Sequence, residues 1–214
     1  MNIKKDNNII TSKSDGSYFF VKPFEIYSSY SAFVNTWKIA NKFCKDIKDV
    51  SGTVLLRSFS EISKFGYISF SKWKSKESFI KYNKKYPVFG YHNILNGSDS
   101  NSATQYLYRL ISGTDFSISS NKNKVFKSVI FETGTADEKD VIAYWQSIYS
   151  NDNPSAQNAC LFKSVYKNAR YRFIGFAPSD INEPGNDAVF KNIQFVARKD
   201  FIANTFYLES IKRY

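Results

Sequence analysis

His92, in Tyr91-His-Asn93, is the chain's single histidine. Neutral imidazole accepts a proton near neutral pH and is also a natural haem ligand. Two phenols precede it, Tyr82 and Tyr86, and an indole, Trp73, lies further upstream. Tyr27 near the start and Tyr144, Trp145 and Tyr171 in the second half add more rings with polar tips. Side chains of this kind line apolar pockets while offering donors to a substrate oxygen. The chemistry open to the set is proton transfer to or from a phenolic compound, or haem ligation by His92.

Other chemistries lack their residues. A Ser-His-Asp or Cys-His arrangement would have to use His92, and the sequence holds no nucleophile elbow. The nine glycines are dispersed, so no loop is built to cradle phosphate. Cys44 and Cys160 are widely separated, give neither a metal spacing nor a disulfide framework, and read as buried thiols. Asp137-Glu138 and the pair Glu183 and Asp187 stand at expected helix starts, where they suit the helix dipole.

The elements that must position these residues are legible from periodicity. Gly52-Thr-Val-Leu-Leu-Arg-Ser58 is a strand in which Val54 and Leu56 alternate with Leu55 and Arg57. In the next strand Tyr67, Ser69 and Ser71 share one face, and Ile68, Phe70 and Lys72 the other. Ser75 is placed to cap a helix opened by Lys76 and Glu77. Upstream, a strand over 18–27 precedes a helical stretch over 30–47; downstream, a closing strand is expected over 105–111.

A weaker copy of this order follows. A strand over 126–133 precedes a helix over 136–149, and strands follow over 159–165 and 170–176. Pro178-Ser179-Asp180 reads as the start of a second helix. Asn182-Glu-Pro-Gly-Asn186 suggests that this helix is shortened, and Phe190 to Val196 is its remainder or a strand. Trp37 and Trp145 fall near the middle of corresponding helices, among apolar neighbours at helical spacing, and are expected in the core. Each half reads strand, helix, strand, strand, helix, strand, the ferredoxin-like arrangement, so the fold class is α+β. The expected division is a disordered tail over 1–16, a first unit over 17–120 and a more divergent second unit over 121–214.

Composition adds little about function. The chain has 20 Phe and 15 Tyr against one Met, and a formal net charge of +11. That charge suits either a solvated basic surface or an anionic partner. The N-terminus lacks a signal peptide's apolar run, and no segment nears the ~20 apolar residues of a membrane span, so a cytoplasmic location is expected.

The run Gly52 to Ser58, followed by Trp73-Lys-Ser-Lys-Glu-Ser-Phe79, resembles the antibiotic biosynthesis monooxygenase family of dimeric α+β barrels. In that family a glycine opens the second strand, and a Trp-x-Ser-x-Glu-x-Phe type motif leads from the third strand into the second helix. The likeness covers most of the first half well and the second half in outline. It implies two ferredoxin-like units packed sheet to sheet as a barrel, here in tandem within one chain. It also implies oxidation of a small aromatic or polycyclic compound without a cofactor, in a pocket between the sheet and helices of one unit. His92 and Tyr82 would then be catalytic, and Tyr27, Trp73, Tyr86, Tyr144 and Tyr171 would bind substrate. A divergent second half suggests that the first unit keeps the pocket and the second supports it.

Haem-degrading relatives of that superfamily use a first-strand Asn, a helix Trp and a His about ten residues later. Here Pro23, Tyr82 and His92 stand near those positions. A non-catalytic ligand- or haem-binding barrel using His92 is therefore the alternative. A third reading comes from Lys64-Phe-Gly-Tyr-Ile-Ser-Phe70 and Phe19-Phe-Val-Lys-Pro-Phe24, which resemble the two aromatic strands of an RNA-recognition motif. It requires Phe65 and Tyr67 to face water, whereas the barrel is expected to bury them between its two sheets.

Overall fold

The computed structural model describes residues 8–11, 16–25, 30–42, 47–58, 65–85, 106–113, 117–119, 124–132, 137–148, 159–180 and 201–213. The first unit runs β2 (Tyr18–Glu25), α1 (Tyr30–Lys42), β3 (Val50–Ser58), β4 (Phe65–Trp73), α2 (Lys76–Lys85) and β5 (Leu107–Ser112). The second runs β7 (Lys124–Glu132), α3 (Glu138–Ile148), β8 (Cys160–Ser164), β9 (Tyr171–Asp180) and β10 (Phe201–Arg213). A short ladder, β1 (Asn8–Thr11) with β6 (Ser117–Ser119), joins the N-terminal residues to the connector between the units. The segment over 1–16, expected to be a disordered tail, thus contributes a strand.

Strand neighbours run β3-β4-β2-β5 in the first unit and β8-β9-β7-β10 in the second, the same order by position in each half. β5 pairs with β8 and β10 with β3, so the two sheets join at both edges into a closed antiparallel barrel.

One sequence expectation about the second unit shifts. Pro178-Ser179-Asp180 continue β9 instead of starting a helix. β8 begins at Cys160, opposite Phe176, so beyond that point β9 pairs, among the described residues, with β7 alone. A proline lacking its N–H is tolerated on such a one-sided stretch. The expected strand or helix over 190–196 lies outside the described residues.

The barrel is filled by rings. Phe19, Phe70, Phe162 and Phe176, two from each unit, meet at centroid distances of 5.0 to 6.0 Å, mostly edge to face. Val54, Leu56, Ile68, Ile130 and Ile174 complete this buried cluster. Outside the first sheet, α1 lays Phe33, Val34 and Trp37 on Phe24, Leu55 and Tyr67. α2 begins where Ser75 Oγ accepts the Ser78 N–H at 3.1 Å, the expected N-cap. α3 is capped by Asp137, whose carboxylate accepts the Lys139 N–H at 3.0 Å. Among the described residues no helix is long and apolar enough to cross a membrane.

Candidate active site

Tyr67, Ser69, Ser71 and Trp73 occupy every second position of β4 and turn to the side where α1 and α2 pack. Phe20, Lys22 and Phe24 of β2 lie beside them, Lys22 opposite Ser69 and Phe20 opposite Ser71. A lysine between two phenylalanines on a strand face is exposed only if nothing covers that face. Here helices cover it, and Lys22 is 1% exposed.

Its Nζ stands 4.8 Å from the centroid of Tyr106 and 5.2 Å from that of Phe24. A lysine ammonium at these distances is attracted to the ring faces. The surrounding polar groups are also ordered. Trp37 donates its indole N–H to Ser69 Oγ at 3.0 Å, and Trp73 donates to Ser71 Oγ at 2.9 Å. Asn41, one helical turn beyond Trp37, donates from Nδ2 to the Trp37 carbonyl at 2.8 Å. Thr53, opposite Ser71 on β3, is buried with them.

Among the described residues the second unit shows no counterpart to this polar row. Gly175 of β9 lies between Val129 and Leu161, as Ser69 lies between Lys22 and Leu55. Trp145 of α3 takes the place of Trp37 and presses so close to Gly175 that an added Cβ would fall 2.2 Å from its ring. Valine replaces the lysine and glycine replaces the serine, so the second face is apolar and filled. Its buried Ser128 and Ser164 align with Phe176 and Tyr108, inside the barrel. Among the described residues, the buried polar side chains on a helix-covered face therefore belong to the first unit.

Of the residues singled out from sequence, Trp73 and Tyr82 come together, their rings 5.3 Å apart, with Phe79 edge-on to Trp73 at 5.3 Å. Trp73 is buried and Tyr82 half-buried. Tyr171 lies elsewhere, buried edge-on against Phe65 at 5.4 Å. Tyr27, Tyr86 and His92 lie outside the described residues, as does the side chain of Tyr144. Trp37 and Trp145 are buried, as expected of core residues. Phe65 and Tyr67 are buried too, but Tyr67 lies under α1 and not between the sheets, stacked on Phe33 at 4.3 Å, so this pair presents no open ring for a base.

Lys22 was missed from sequence because a lysine in a strand reads as a solvated position. The available signal was its place between Phe20 and Phe24, on the face a following helix has to cover.

The chain is similar over 95% of its length to an anthrone oxidase-like protein of known crystal structure, covering 96% of that chain with a TM-score of 0.64 at 10% identity. A Fusobacterium nucleatum protein assigned as a monooxygenase aligns over 92% of this chain and 94% of its own, with a TM-score of 0.58 at 12% identity. No protein-family model matches the sequence, and no curated protein does. At such identities the likeness establishes the fold, which is that of the dimeric α+β barrel proteins.

Proposed function

We propose that this chain carries both halves of a dimeric α+β barrel in tandem and oxidises a small electron-rich aromatic compound on the helix-covered face of its first unit. The observation that carries this reading is Lys22, an amine buried between two aromatic faces within a row of buried hydroxyls. A fixed cation in a water-poor site stabilises developing anionic charge far more than one in solvent.

The substrate class that uses such a site is a multi-ring phenol with an activated methylene. Loss of a proton leaves a carbanion delocalised onto the oxygen of a conjugated ring carbonyl, and the Lys22 ammonium stabilises that charge. The carbanion gives one electron to O2, the radical pair joins as a peroxide anion, and protonation gives a hydroperoxide. Loss of water then leaves a ketone, so one CH2 and one O2 become one C=O and one H2O. The described residues contribute no step that needs haem, and the haem reading rests on His92 alone. Tyr82 and His92 are the groups proposed to move the protons, with Trp73, Tyr27 and Tyr86 holding the rings.

The test is oxygen uptake by the full chain with a reduced tricyclic phenol, alongside Lys22→Met and Lys22→Arg. One O2 consumed per ketone formed, with a loss of about 10²-fold or more in Lys22→Met, is the expected result. Ligand binding with no oxygen consumption would instead make this a binding protein.

A further inference from the structure

On the outside of the barrel, where β5 meets β8, the first turns of α2 and α3 flank a groove of about 550 Å³. Among the described residues five cations line it, Lys76, Arg109, Lys163, Lys167 and Arg172, against one carboxylate, Glu138. That carboxylate is already shared, with Lys163 Nζ at 2.5 Å and Arg172 Nη2 at 3.7 Å. Lys76, Arg109 and Lys167 have no carboxylate partner among the described residues. They come from α2, β5 and the segment after β8, so their clustering is a product of the fold and not of a basic run in the sequence.

Two of the cations are held in place. Arg109 lies over the Tyr18 ring at 4.6 Å and donates from Nη2 to the Tyr18 hydroxyl at 2.6 Å. Lys76 Nζ sits over the Tyr166 ring at 4.9 Å. A stacked guanidinium has lost much of its side-chain freedom already, and its other N–H groups stay available for a planar or tetrahedral anion. A concave surface of one sign also focuses its field into the groove. The volume is within the ~300–1,000 Å³ typical of small-molecule sites.

We propose that this groove binds a compact oligophosphate or a phosphate ester, at a site separate from the Lys22 face. Phosphate fits better than a single carboxylate because three unneutralised cations from three elements converge there, and each phosphate group offers several anionic oxygens. The site stands whether or not the barrel oxidises anything.

The test is calorimetric titration of the full chain with inorganic tripolyphosphate at low and high salt. Binding is expected to weaken steeply with salt, and Arg109→Gln and Lys167→Gln are each expected to weaken it about tenfold. Glu138→Gln removes the one carboxylate that the described residues contribute to the lining and is expected to tighten binding several-fold, which loss of a merely structural contact would not do. Lys84→Gln, on α2 but outside the groove, is expected to leave the affinity unchanged. No binding at millimolar tripolyphosphate would overturn the proposal, as would equal weakening by Lys84→Gln. So would single-stranded DNA binding that is far tighter than tripolyphosphate and grows with strand length, which would assign the surface to nucleic acid.

Discussion

Tyr108 of β5 donates its hydroxyl hydrogen to the main-chain oxygen of Tyr171 of β9 at 2.8 Å, linking the two units past the intervening strand β8. Both residues are buried. Burial holds the Tyr108 phenol well above its ordinary value, and the neighbouring Tyr106 and Tyr171 push the same way. A phenol in the unfolded chain ionises near pH ~10. Below that pH both states keep the proton, and the contribution of Tyr108 to stability is fully present. As pH rises past about 10 the unfolded chain releases the proton first, so stability falls until the folded phenol ionises as well. Thermal unfolding followed by circular dichroism is expected to show a melting temperature that drops above that point. Tyr108→Phe should make the drop shallower and, by leaving the Tyr171 carbonyl without this donor, cost about 1–3 kcal/mol near neutral pH.

The phenyl cluster inside the barrel makes a different claim, about cooperativity. Phe162 touches Phe19 and Phe70 of the first unit and Phe176 of the second. A tandem repeat whose halves folded independently would melt in two steps. With the two sheets joined at both edges over one shared core, a single transition is expected. Phe162→Ala should lower stability by about 3–5 kcal/mol and still leave one transition in urea. Two resolved transitions, with only the second unit affected, would contradict the shared core.

The repeat was readable because its signals are local. Strand alternation at Tyr67 to Ser71, the Ser75 cap and the paired helix tryptophans depend only on neighbours in sequence. Barrel closure was not readable in that way. Pairing of β10 with β3 joins strands from the last and first thirds of the chain, and nothing in Gly52 to Ser58 names its partner. The family resemblance suggested closure where periodicity could not. Pro178 misled for a related reason, since a proline reads as a strand end unless the neighbouring strand is known to stop short. Lys22 was hidden most completely. Its burial depends on α1 and α2 lying over a face that the strand's own sequence leaves undecided.

Gly175 and Trp145 test the asymmetry between the units. A methyl group at Gly175 would collide with the Trp145 ring, which is buried and has little room to yield. Gly175→Ala is therefore expected to destabilise the chain by about 1–3 kcal/mol. Combining it with Trp145→Phe should recover part of that loss, because the smaller ring vacates the space that the methyl needs. A double-mutant cycle in urea measures the coupling, and simple additivity of the two changes would mean that the ring and the glycine do not compete for one volume.

Lys22 and Ser69 stand opposite each other on β2 and β4, yet their replacement should have contrasting effects on stability. Ser69 Oγ accepts the Trp37 indole N–H, so Ser69→Ala strands a buried donor and is expected to cost about 1–3 kcal/mol. Lys22→Met keeps much of the side-chain volume and removes an amine whose burial carries a desolvation cost. A buried ammonium carries a large desolvation cost, which an apolar side chain of similar volume does not. Denaturant unfolding of the two variants should therefore separate them, with Ser69→Ala shifted down and Lys22→Met level or up. A Lys22→Met protein that is as stable as the parent but no longer consumes oxygen with a reduced phenol would show a lysine serving chemistry and not folding. Loss of stability by several kcal/mol would instead make Lys22 part of the fold's own polar framework, and the catalytic reading would lose the residue it rests on.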